Sequence, residues 1–263
     1  MKKRIDIIGA GLAGSEAALQ LARHGFSVRL FEMRPFKDTV VHKTSNCAEL
    51  VCSNSLKSLN PESAAGMLKR ELSKMGSVVL GCAYKAQVPA GGALAVDREA
   101  FSSLVTQTIR DEKNIEFVIA EVVALDTDGA LWVVDDAHKE AYRFDDPADA
   151  VLISSGPLTS DELAHSLGEI TGTEQLAFYD AAAPIVLADS LDRNRVFSQS
   201  RYANEGEGDY LNAPFSKEEY EHFIEELIGA ECVIKKNFET KDLFQACQPV
   251  EEIARRGFDA PRY

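Results

Sequence analysis

The chain has no apolar run near the roughly 20 residues that a bilayer-crossing helix needs, so no membrane association is expected. Its start, MKKRIDIIGAGLAGSE, has the charge of an export signal, but three glycines cut the apolar part and Glu16 follows, which reads as a first strand. Cysteine is scarce. Five residues, an odd number without regular spacing, make no disulfide framework and suggest a reducing cytoplasm. The cysteines and histidines do not form two ligand pairs at zinc spacing, so no metal is expected. Neither a G-x-x-x-x-G-K-[ST] phosphate loop nor a G-x-S-x-G nucleophile elbow occurs. Positive charge is short as well: 28 Lys and Arg against 42 Asp and Glu give −14, which opposes a simple electrostatic grip on nucleic acid. The basic pairs Lys235-Lys236 and Arg255-Arg256 are small and read first as solvated surface. Repeats and low-complexity tracts are absent.

What is present is ordinary for a globular protein, and 263 residues leave room for one large domain or two smaller ones. RIDIIGAG reads as a buried strand closed by glycine, LAGSEAALQLARHG as a helix stopped at Gly25, and SVRLFE as a second strand ending in an acid. A long irregular stretch follows, with Cys47 and Cys52 in it. NPESAAGMLKRELSKMG then predicts a helix with Asn60 as N-cap, Pro61 in its first turn and Gly76 as its stop. VPAGGALAVDR is a glycine-rich loop with a short strand, and Asp97 to Asp111 an amphipathic helix. IEFVIAEVVALD, ALWVVDD and EAYRFDD read as a small antiparallel sheet, and ADAVLISSGP as a buried strand returning to the parent sheet. Capping boxes are expected at Thr159–Glu162 and Ser216–Glu219, each opening a helix. The fold class is α/β: a Rossmann-type FAD-binding domain of two-domain flavoprotein type over residues 1–156, with a β-rich insertion. A second, α+β insertion or substrate domain is placed at 157–263.

Gly9, Gly11 and Gly14 make G-x-G-x-x-G between first strand and first helix, with Glu32 at the end of the second strand, 18 residues beyond Gly14. In that context the turn Gly9, Ala10, Gly11, Leu12, Ala13, Gly14 brings backbone close to a pyrophosphate, and the helix N-terminus supplies free N–H groups. A carboxylate at Glu32 accepts from ribose hydroxyls and repels a 2′-phosphate, favouring FAD or NAD over NADP. The fingerprint does not separate those two. VLISSGP, a strand ending at Gly156 after a β-rich insertion, resembles the second motif of two-domain flavoproteins and points to FAD.

Cys52 sits in a polar Ser-Asn-Ser setting that suits either a buried structural thiol or a reactive one. Cys82 and Cys232 border apolar stretches and read as packing residues, and Cys47 fits either role. The histidines read as surface residues, except that His42 lies in the loop before Cys52, within reach of a flavin.

Taken together, GAGLAGSEAALQLARHG, AELVCSNSL, VPAGGALAVDR, DAAAPIV and DYLNAP resemble the folate- and FAD-dependent tRNA (uracil-5-)-methyltransferases, relatives of the tRNA-modifying MnmG flavoproteins. The resemblance runs along the whole chain. It implies FAD as cofactor, methylenetetrahydrofolate and NAD(P)H as co-substrates, and tRNA as the RNA methylated at C5 of a T-loop uridine. It also implies two catalytic cysteines. Cys52 matches the one beside the flavin, and Cys247, in FQACQPVEE near Arg255 and Arg256, the one drawn attacking C6.

The chain departs from that family in three ways. Family members continue beyond the position of Tyr263, so the FAD domain is expected to be incomplete without a C-terminal return. RYANEGEGDYLN lacks a lysine after Arg201-Tyr202, and Ala213-Pro214 stands for Cys-Pro. Gln248 replaces methionine, and Ser154-Ser155-Gly156 replaces Ala-Thr-Gly. The competing expectation is an FAD-binding NAD(P)H oxidoreductase, or an inactive short form that does not methylate RNA.

Overall fold

The run RIDII forms β1 (Arg4–Ile8) because branched side chains suit a pleated, buried surface. Helix α1 (Leu12–Arg23) follows the glycine turn, and Gly25, at φ +87°, lets the chain reverse into β2 (Ser27–Glu32). The computed structural model describes residues 2–39, 41–51, 53–144, 146–172, 186–200, 208–231 and 250–262. It divides into two compact units, residues 1–176 and 177–263.

The first unit continues through β3 (Ser55–Ser58), α2 (Ala64–Lys74), α3 (Val78–Lys85), β4 (Gln87–Val88), β5 (Ala93–Val96) and α4 (Arg98–Asp111). Then come β6 (Ile115–Ile119), β7 (Glu121–Leu125), β8 (Leu131–Val134), β9 (Tyr142–Phe144), β10 (Ala150–Ile153) and α5 (Asp161–Thr171). A parallel sheet of order β10-β1-β2-β6 forms the middle layer. The chain enters at the centre, steps out through β2 to β6, and returns to the other side of β1 as β10. This is the Rossmann α/β arrangement, whose switch point lies beside the carboxyl end of β1.

Alternation assigns the two faces. Ile7, Val28 and Leu30 point into a core with α1, α3 and α4, where each fully buried aliphatic side chain contributes roughly 1.5–3 kcal/mol. Ile8 and Phe31 point the other way, onto the antiparallel sheet β7-β8-β9 and Leu163 of α5. On that second face Arg29 holds Asp6 with two donors, at 2.7 and 2.6 Å, and lies over the Phe144 ring at 5.0 Å. Both side chains are nearly inaccessible, so each charge depends on the other.

Several elements differ from the sequence expectation. The run Ile115 to Leu125 serves two sheets: β6 pairs in parallel with β2, and only β7 joins the antiparallel sheet. The break falls at Ala120, whose N–H bonds the Glu32 carbonyl at 3.0 Å, the last link to the parallel sheet. The unbroken apolar character of the run conceals it. The N-cap of α2 is Ser63, which accepts from Gly66 N–H, whereas Asn60 accepts from Glu62 N–H in a preceding turn. That turn lies so close over the helix that a Cβ on Gly66 would stand 1.8 Å from the Asn60 oxygen.

The stretch read as irregular contains β3, which pairs with β5 in a three-stranded sheet of order β3-β5-β4. Helix α3 has no amphipathic signal because it is buried nearly all round. Its N-cap Ser77 accepts from Leu80 N–H, and Glu16 adds a cap from outside by accepting from Val78 N–H, Val79 N–H and the Ser77 hydroxyl. Strand β10 does return to the parent sheet, but as its edge: Leu152 and Ile153 are 40% and 37% exposed, where a buried strand was expected. No described element covers its outer side.

The N-cap of α5 is Ser160, and the Thr159 hydroxyl instead donates to the Gly156 carbonyl at 2.7 Å. This helix packs on β7 and so belongs with the first unit. The second unit, described by itself, is α+β. A two-stranded pairing of β11 (Phe197–Ser198) with β12 (Leu211–Asn212) precedes α6 (Lys217–Gly229) and α7 (Val250–Ala254). The Ser216–Glu219 capping box forms as expected. Tyr220 donates to the Phe258 carbonyl, and its ring meets that of Phe258 edge-on.

Candidate dinucleotide site

At the carboxyl end of β1 the chain turns at Gly9, whose φ of +97° excludes most side chains. A Cβ there would also stand 2.7 Å from Ser155 Cα and 2.8 Å from the Ser154 oxygen. Gly14 lies inside the first turn of α1, where a Cβ would come within 1.9 Å of the Gly9 oxygen and 2.6 Å of Ser154 Oγ. These two glycines are required by the protein's own packing. Gly11 is not: its φ of −69° suits any residue, and no atom lies within 4 Å of a Cβ built there. Its bare backbone fits the close approach of a ligand.

The hydrogen bonds agree. Gly9 N–H donates to the Phe31 carbonyl, Ser154 N–H and Oγ donate to the Ile8 carbonyl, and Ser15 Oγ donates to the Ala10 carbonyl. Among the described residues no acceptor serves the N–H groups of Gly11, Leu12, Ala13 and Gly14, and α1 has no side-chain cap. These donors, at the positive end of a helix and beside open space, suit a pyrophosphate.

Glu32 closes the other side, at the end of β2. One carboxylate oxygen accepts from Ala10 N–H at 3.0 Å, and the other accepts from Arg34 Nε at 2.8 Å and Arg34 N–H at 3.2 Å. Burial works against the charge, but the Arg34 side chain and the two backbone donors prevail and hold the carboxyl below its ordinary range. The stabilisation this gives is complete above the ordinary carboxylate value and is lost as pH falls through the lowered one. Glu32→Gln should cost about 2 kcal/mol at pH 7. The gap between urea midpoints of parent and variant should begin to narrow below about pH 4, and a gap that stays constant down to pH 3 would contradict the assignment.

The structure thus brings Gly9, Ala10, Gly11, Leu12, Ala13, Gly14 and Glu32 together, with the Ser154–Gly156 turn packed against Gly9 and Gly14. Cys52, Cys232 and Cys247 lie outside the described residues. Cys47 is a packing residue: burial pushes its thiol up to about 11, and its N–H donates to Thr106 Oγ1. Cys82 is buried within α3. His42 Nδ1 lies 2.6 Å from Thr39 Oγ1.

The sequence reading missed Arg34 and Ala48, and met Ser154 only as part of the Ser154-Ser155-Gly156 motif, without its contacts to Gly9 and Gly14. Arg34 carried only the weak signal of a cation two residues beyond Glu32; the pairing is made by the turn that opens at Met33, after β2 has ended. A groove of about 460 Å³ between α5 and β7 is lined by Asp161, Glu162 and Glu169, charges that would repel a phosphate.

The family model described as "Glucose inhibited division protein A" matches residues 4–263. The chain is 50% identical over 261 residues to "Methylenetetrahydrofolate--tRNA-(uracil-5-)-methyltransferase TrmFO" of Syntrophomonas wolfei, covering 99% of this chain and 55% of that protein. It is 48% identical over 263 residues to the protein of the same name from Koribacter versatilis, covering 100% and 55%. The chain therefore spans about half the length of the curated relatives it matches. Among solved structures, that of Aquifex aeolicus GidA in its form II crystal is 17% identical, with a TM-score of 0.45, covering 59% of this chain and 25% of that one.

Proposed function

The chain belongs to the glucose inhibited division protein A family, and from that premise we propose that it serves a cytoplasmic FAD- and methylenetetrahydrofolate-dependent methylation of tRNA uridine at C5. The observation that carries the reading is identity near 50% to named tRNA methyltransferases over a span that includes the glycine turn and both cysteine stretches. The site's chemistry supports FAD, since among the described residues the N–H groups of residues 11–14 at the start of α1 have no acceptor, the space beside Gly11 is open, and Glu32 lies beside Ala10.

In this reading the turn holds the pyrophosphate, and Glu32 accepts from ribose hydroxyls with its remaining lone pairs. Bound there, the flavin supplies carriage of the one-carbon unit from folate and the electrons, drawn from NAD(P)H, that reduce it. The chain's own covalent work falls to its cysteines. A thiolate, assigned to Cys247, adds to C6 of uracil, and the displaced π electrons make C5 nucleophilic. Once C5 carries the new carbon, a base removes its proton, the C5–C6 double bond reforms and the thiolate leaves. Cys52 is assigned to the flavin side.

The test uses tRNA lacking 5-methyluridine, incubated with the protein, FAD, NAD(P)H and labelled methylenetetrahydrofolate. Labelled 5-methyluridine is the expected product. Oxidation of NAD(P)H without labelled RNA would instead favour the oxidoreductase reading.

A further inference from the structure

Arg34 is almost completely buried, with 2% of its side chain exposed, yet it touches two carboxylates. Its Nε donates to Glu32 at 2.8 Å; its Nη1 donates to the Thr44 carbonyl at 3.0 Å and to Glu49 at 3.3 Å. Glu49 in turn accepts from Lys43 N–H at 2.9 Å, Thr44 N–H at 3.1 Å and the Thr44 hydroxyl at 2.7 Å. The same loop is pinned at two more points. Ala48 N–H donates to the Ala10 carbonyl of the glycine turn at 2.8 Å, and Cys47 N–H donates to Thr106 of α4.

We propose that Arg34 is a positioning residue that makes the 43–49 loop part of the dinucleotide site, so that nucleotide binding at Glu32 and ordering of the loop are coupled. The proposal rests on the nucleotide reading of the glycine turn. A guanidinium this buried is tolerable only while its partners are in place. A ligand that engages Glu32 fixes the carboxylate which orients Arg34, and Arg34 orients Glu49. Coupling is reciprocal, so loosening the loop weakens the nucleotide. The residues that follow the loop in sequence are Leu50, Val51 and Cys52, which gives the coupling its functional interest. Lysine cannot replace Arg34, because one ammonium does not span Nε and Nη1 contacts made in two directions.

A double-mutant cycle tests this, using FAD as the probe. Among the described residues the Glu49 carboxylate accepts only from Arg34, Lys43 and Thr44, and from nothing in the glycine turn. Glu49→Gln should therefore act at a distance, raising the Kd for FAD about tenfold in the parent and less than twofold once Arg34 is lysine. Equal effects in both backgrounds, or none in the parent, would overturn the coupling. Exchange of the Lys43 and Thr44 amides is read alongside, without ligand, and should quicken about tenfold in Arg34→Lys. If the parent binds no FAD, the nucleotide reading fails, and exchange decides the positioning role by itself: an unchanged rate overturns it.

Discussion

Gly11→Ser should leave the protein as stable as the parent, or slightly more so, while weakening FAD about 10- to 100-fold. Gly14→Ala should do the opposite kind of damage, costing about 3 kcal/mol or more and taking FAD binding with it. The contrast follows from what each Cβ meets. At Gly11 there is nothing within 4 Å and the backbone is extended, so serine fits and becomes a better N-cap than glycine. Its hydroxyl would then claim an N–H that otherwise faces the ligand, and occupy the space a pyrophosphate needs. At Gly14 the new methyl would lie 1.9 Å from the Gly9 oxygen, which is itself held by Ser154 Oγ, so the backbone must move. Thermal melts with flavin titrations separate the two. A melting temperature within about 2 °C of the parent for Gly11→Ser, against a fall of roughly 6–12 °C for Gly14→Ala, is the expected pair. If Gly11→Ser still bound FAD with parental affinity, the open face of the turn would not be the binding face.

Cys52→Ser and Cys247→Ser should each reduce methyl transfer by at least about a thousandfold, the scale seen when a nucleophile is removed, with FAD affinity unchanged. The two should part company on tRNA containing 5-fluorouridine. Fluorine at C5 cannot leave as a proton does, so the thiol that attacked C6 stays attached. Parent and Cys52→Ser should give a protein–RNA adduct in the mass spectrum, and Cys247→Ser should not. An adduct in Cys247→Ser but not in Cys52→Ser would exchange the two assignments. Adducts in both variants would remove both cysteines from the C6 step.

The strand, glycine turn and helix that open the chain were legible because their determinants are local: three glycines, a preceding apolar run and an acid one strand later. Helix α4 and the Ser216 capping box were legible for the same reason, since each begins with a side chain that caps its own first turn. Features set by distant partners were not. Helix α3 has a local cap in Ser77 but no polar face to give its length away, because α1 and α4 bury it, and Glu16 adds acceptors from another element. The break between β6 and β7 lies within one apolar run and is set by pairing with Glu32, not by a turn residue. Arg34 was passed over because surface solvation is the usual fate of arginine. Only the fold brings Glu49 and Thr44 to its other side.

The central claim is that this glycine turn holds a flavin dinucleotide, and its most direct test is a titration of the purified 263 residues with FAD, followed by gel filtration. The account predicts saturable binding, a flavin absorbance band that stays with the protein, and displacement by ADP, which shares the pyrophosphate and ribose. A folded protein that emerges colourless at every FAD concentration would contradict it.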